Sequence, residues 1–137
     1  KIDMIGMGPY ILHKDTPLGQ EWETIVPTTE KRVELGLKMI AITRILLKDV
    51  NIAATTALQG LDPLGREKGL LAGANILMPT ATLQDYKGKY LLYDNKPGID
   101  DSVERAKASL DEKVKSVGDE IVYGEWGDSL YFKRKNL

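Results

Sequence analysis

The stretch from Asn51 to Tyr93 constrains this chain most. It reads as a short apolar strand (NIAATT), a loop, a helix closed by Gly73, a second strand stopped by Pro79, and a run that ends in tyrosines. A strand, a crossover helix and a further strand make a βαβ unit, whose connection is right-handed when the strands are parallel. The same order stands before it. Lys1 to Gly8 (KIDMIGMG) is a strand-like apolar run ended by Pro9, and Thr28 to Asp49 is the clearest helix of the sequence. Two successive units of this kind predict parallel strands near residues 2–8, 51–56 and 74–78. Three strands do not by themselves cover both faces of a stable parallel sheet. The abrupt opening at Lys1, with no cap or turn before it, reads as the interior of a larger protein.

In parallel α/β architectures, ligands gather at the carboxyl ends of the strands. That rule singles out Thr55, Thr56 and Met78. Neighbouring strand residues point to opposite faces, so one inward threonine is expected, and Thr56 lies nearer the strand end. The other reading has both hydroxyls bonded locally to backbone. In the first strand, Met4, Gly6 and Gly8 alternate along one face that is partly bare, which suits close approach of a ligand or of a neighbouring backbone, or else simply relieves crowding. Tyr10 to Pro27 is a long connection without a sustained period, and such connections are more often functional than idle. Within it His13 is a candidate general base or ligand. An ordinary hydrogen-bonded loop histidine is the simpler reading, since no second histidine or cysteine shares the segment.

The helix from Thr28 has that threonine as N-cap, Glu30 in its first turn, and a Glu34–Lys38 pair on its wet side. Its apolar rows, Val33, Leu37, Ile40 and Ala41 beside Leu35, Met39, Ile42 and Leu46, predict a stripe broad enough to lie flat on a sheet. Asp62 and Pro63 signal the start of the next helix. Tyr86, Tyr90 and Tyr93 share one face if that segment is helical, either as a core stripe or as hydroxyl donors to a pocket. Ser102 to Val117 is an amphipathic helix closed by Gly118, and the end of the chain reads as short extended pieces around Trp126 with a solvated basic tail.

A net charge of −1, with 28% charged residues of mixed sign, gives no field for nucleic acid and no polybasic segment for membranes. No run is long and apolar enough to span a bilayer, and no signal-peptide pattern opens the sequence. A cytoplasmic setting and a small-molecule substrate are therefore expected. With no cysteine and one histidine, a thiolate-bound or histidine-rich metal site within these residues is excluded.

Four ordered blocks, DMIGMGPYILHKDTPL, NIAATTAL, GREKGLLAGANILMP and YLLYDNKPG, together resemble the C-terminal portion of the HydE family. These are radical S-adenosylmethionine proteins of [FeFe]-hydrogenase maturation, related to biotin synthase and methylornithine synthase. The resemblance covers about residues 2–98. It implies the last three strands of a (βα)8 TIM-type barrel with the biotin and thiamin synthesis-associated region over residues 1–98, and a C-terminal helix and tail over 99–137. It also implies S-adenosylmethionine and a [4Fe-4S] cluster held by a CxxxCxxC motif earlier in the protein, with a radical passed to a substrate inside the barrel. By motif, Met4 and Pro9 resemble positions near S-adenosylmethionine, and Thr55, Thr56, Met78, Tyr90 and Tyr93 resemble the lining of the central cavity. The N-terminal half of the barrel is the implied partner, and without it the exposed strand edge predicts self-association. Gly19 to Pro27 is longer than the family norm, and the C-terminal cysteines of some members are missing. A biotin synthase-like or methylornithine synthase-like paralogue with another substrate stays open, as does a free-standing, non-enzymatic domain that binds a ligand or partner. A phosphate-binding barrel is disfavoured because no glycine-rich nest follows these strands.

Overall fold

The computed structural model describes residues 2–21, 27–79, 82–89 and 102–135. Strand β1 (Met4–Met7) leads into a loop with the short helix α1 (Pro17–Gln20), then α2 (Thr29–Leu46) and β2 (Asn51–Ala54). Helices α3 (Thr56–Leu61) and α4 (Gly65–Leu71) precede β3 (Ile76–Leu77), and α5 (Gln84–Lys87), α6 (Val103–Ser116) and α7 (Leu130–Lys135) follow. The strands form one parallel sheet in the order β1-β2-β3, with Met4 opposite Asn51, Gly6 opposite Ala53, and Ala53 opposite Ile76. This is the α/β class with three parallel strands that the strand and helix order predicts.

The strands are shorter than expected, for local reasons. The strand expected over 51–56 stops at Ala54, because Thr55 is the N-cap of α3 and Thr56 its first residue. The strand expected over 74–78 pairs only at Ile76 and Leu77; Asn75 before it gives its side-chain oxygen to the Ile52 amide at 2.8 Å. The start signal at Asp62 is displaced as well. Its Oδ1 accepts from the Leu64 amide at 2.9 Å in an Asx-type turn, and α4 begins only at Gly65.

Helix α2 is set by Thr28, whose hydroxyl accepts from the Lys31 amide at 3.3 Å. Ile40, Ile52 and Leu58 are fully buried, each contributing about 1.5–3 kcal/mol of apolar burial. They join Val50, Ala54 and Ala74, with Ile5, Met7, Leu37, Ala72 and Leu77 packed against them. The expectation that both apolar rows of α2 lie on the sheet is corrected here. Val33 and Ile40 are buried, whereas Leu35, Met39, Ile42 and Leu46 are exposed, since a helix turns its second row away from a single underlying layer.

Helix α6 is capped by Ser102, which accepts from the Arg105 amide at 3.3 Å, and buries Leu110 and Val114. It packs on α4, and a Lys113–Glu67 ion pair at 2.8 Å joins the two helices. Gly118, at φ +85°, ends α6 in the left-handed region that favours glycine. The basic tail is not a solvated extension but the helix α7, docked through Tyr131 N, which donates to Asp49 O at 3.1 Å. Among the described residues no helix is long and apolar enough to cross a membrane.

Candidate functional site

Helices α2 and α3 lie on one face of the sheet, where Ile5, Met7, Ile52, Ala54 and Leu77 pack with Ile40 and Leu58. Strand alternation and the observed register therefore place Met4, Gly6, Asn51, Ala53 and Ile76 on the opposite face, helix-free among the described residues, where Met4 is 47% exposed while Ala53 and Asn51 are buried. A Cβ built at Gly6 meets nothing within 4 Å, so this face is open above the edge strand.

At the carboxyl ends, two residues of that face converge. A Cβ at Gly8 would collide with Thr55 Oγ1 and lie 3.4 Å from the Cβ atoms of Thr55 and Ala57. Glycine at position 8 is what lets the threonine stand where it does. Thr55 occupies the N-cap of α3 with extended backbone (φ −76°, ψ 156°), yet its side chain makes no capping bond. Its Oγ1 is buried and has no hydrogen-bond partner among the described residues. A buried hydroxyl left unpaired costs free energy, so among the described residues this oxygen is a candidate recognition group. Local backbone bonding, one of the two readings of the threonine pair, is not what Thr55 does.

The other candidates divide by position. Pro9 stands at the same end of β1, against Gly36 of α2, where an added Cβ would meet Pro9 Cδ at 3.3 Å. Met78 follows β3, is 45% exposed, and offers its carbonyl to Arg66 Nη2 at 3.3 Å. Thr56 is half-buried in the first turn of α3 rather than on a strand. Met4 lies at the amino end of β1, paired with Asn51 and 47% exposed, so the fold does not bring it to Thr55. Tyr90 and Tyr93 lie outside the described residues, and the neighbouring Tyr86 is exposed with the Lys89 ammonium 5.7 Å from its ring centroid. His13 organises its own turn: Nδ1 accepts from the Asp15 amide at 3.2 Å, and its carbonyl accepts from Thr16 Oγ1 at 2.7 Å.

Sequence reasoning missed Arg66, which is buried at the start of α4 and holds the end of β3 through the Met78 carbonyl. Nothing in GREKG distinguishes it from a solvated charge. Among the described residues no group of three or more histidine, cysteine, aspartate or glutamate side chains could hold a metal ion.

A short parallel sheet with helices packed on it and an unpaired hydroxyl at the carboxyl ends of the strands defines a parallel α/β unit. No protein-family model matches the chain. It is similar to the [FeFe] hydrogenase maturase subunit HydE of Thermotoga maritima, at 48% identity over 94 residues, and over that stretch the chain is HydE-like. The match takes in 69% of this chain and 25% of the relative, so the chain spans about a quarter of the length of the curated protein it matches. The resemblance carried by the four sequence blocks is borne out.

Proposed function

We propose that this chain is the C-terminal wall of a HydE-like radical S-adenosylmethionine protein that acts in [FeFe]-hydrogenase maturation. The observation that carries the reading is the buried, unpartnered Thr55 hydroxyl on the helix-free face at the strand ends, within a chain 48% identical to HydE over its matched stretch. In this reading the helix-free face is the inner wall of the barrel. Thr55 binds a carboxylate or similar polar group of a small-molecule substrate, and Thr56, Met78, Tyr90 and Tyr93 are assigned to the same lining by the resemblance alone. By the resemblance, Met4 and Pro9 border the space for S-adenosylmethionine, with Met4 at the amino end of β1 and Pro9 beyond its carboxyl end. When bound, the [4Fe-4S] cluster supplies the electron that cleaves S-adenosylmethionine; its ligands belong to an earlier loop, and this chain's part is to bind and orient.

The N-terminal half of the barrel is the partner this reading requires. It pairs with the open edge of β1 and covers the exposed apolar row Leu35, Met39, Ile42 and Leu46; without it, the chain self-associates through the same surfaces. The reading frame upstream of Lys1 is the direct test. A CxxxCxxC motif roughly one barrel half earlier supports the assignment, and a start codon beside Lys1 overturns it.

A further inference from the structure

The amino ends of the strands, opposite the Thr55 site, are covered by the last part of the chain. Asn51, the first residue of β2, donates Nδ2 to the Gly127 carbonyl at 2.7 Å and accepts at Oδ1 from Asn75 Nδ2 at 2.9 Å. Asn75 in turn accepts at Oδ1 from the Ile52 amide at 2.8 Å and from Arg44 Nη2 at 3.0 Å. Arg44 spends Nε on the Gly73 carbonyl and Nη1 on the carbonyls of Lys48 and Val50, each at 2.8 Å. Ser129, 3% exposed, accepts from the Phe132 amide at 3.0 Å and donates to Asp3 Oδ1 at 3.4 Å, while Arg134 pairs with Asp49. The Asn51 amide donates to the Asp3 carbonyl at 2.9 Å. Residues just before or at the start of all three strands, Asp3, Asn51 and Asn75, are thus tied into one polar net with the segment from Gly127 to Arg134.

We infer that residues 127–135 are a strap that closes the amino-terminal mouth of the strand layer, so that a ligand reaches the helix-free face only from the carboxyl ends. This rests on reading that face as a cavity wall. The seal is polar and directional: side-chain amides bond both to one another and to backbone, which fixes the register of the strand starts while using the groups that water would otherwise solvate. A strap that merely happened to lie nearby would not need a buried serine of its own on Asp3 and a buried asparagine of β2 on its Gly127 carbonyl.

Amide hydrogen exchange on the full polypeptide tests this without cofactor or substrate. Ending the chain at Glu125 should speed exchange of the Asn51 and Ile52 amides about tenfold, while the Ile40 amide in α2 keeps its protection. Asn51→Asp keeps the strap but replaces its donor with a carboxylate facing the Gly127 carbonyl, and should speed exchange at Tyr131 and Phe132 with Ile40 again unchanged. Where truncation unfolds the protein, the Asn51→Asp variant decides. Unchanged protection at Tyr131 and Phe132 in a folded Asn51→Asp protein, or at Asn51 and Ile52 in a folded truncation, overturns the strap. Neither result bears on the upstream CxxxCxxC motif, so the strap and the functional reading fail separately.

Discussion

Replacing Thr55 with valine should make the protein more stable. The hydroxyl oxygen is buried without a partner and makes no capping bond to α3. An unsatisfied buried hydroxyl costs about 1–3 kcal/mol, and valine keeps nearly the same shape against Gly8 and Ala57. The usual penalty for valine at an N-cap comes from losing the side-chain bond to the first turn, and there is no such bond to lose. A net gain of about 1 kcal/mol follows. Thr28→Val is the internal control, because Thr28 does cap its helix, accepting from the Lys31 amide at 3.3 Å, and losing that cap costs about 1 kcal/mol. Urea unfolding at one fixed protein concentration, which holds any association constant, should shift the midpoint up for Thr55→Val and down for Thr28→Val with the slope unchanged. If both variants lose stability equally, Thr55 is scaffold and the site assignment is wrong.

The same corner predicts that Gly8→Ala lowers the unfolding midpoint because its Cβ collides with Thr55 Oγ1, and that adding Thr55→Ala restores most of the loss; additive losses would contradict this. Lys113→Met leaves Glu67, only 8% exposed, without its cation and should cost about 3 kcal/mol in denaturant unfolding, with Glu67→Leu in the same chain recovering most of it. The Lys38 hydrogen bond, then that of Lys31, holds the Glu34 carboxyl down from 4.5 to about 2. Because the folded value is the lower one, the stability it adds is present above pH 4.5 and is lost as the pH falls through about 2. A carboxyl titration by NMR with a midpoint near 4.5 would refute that pairing.

Most of the architecture was legible because it follows from periodicity. Thr28 was readable as a cap and Gly73 and Gly118 as helix stops, while the apolar stripe of α2 was legible as a stripe but not in which of its two rows meets the sheet. What stayed hidden depended on neighbours remote in sequence. TALQGL has too few apolar positions to declare a helix, so α3 was missed, and with it the fact that Thr55 rather than Thr56 continues the strand's helix-free face. Arg66 and Glu67 look like surface charges until α6 and Met78 are placed against them. The docking of residues 127–135 could not be read either, since asparagine at the start of a strand carries no signal that it will donate across 76 residues of sequence.

The most direct measurement compares two products in the full-length protein carrying Thr55→Val: 5′-deoxyadenosine released by reductive cleavage of S-adenosylmethionine, and converted substrate. In the proposed reading the cluster loop lies outside this chain, so cleavage should continue at the parent rate. Substrate turnover should fall about tenfold or more, as expected when a ligand's polar group loses a buried partner. Parent-level turnover and affinity in Thr55→Val would contradict the claim that this hydroxyl binds the substrate.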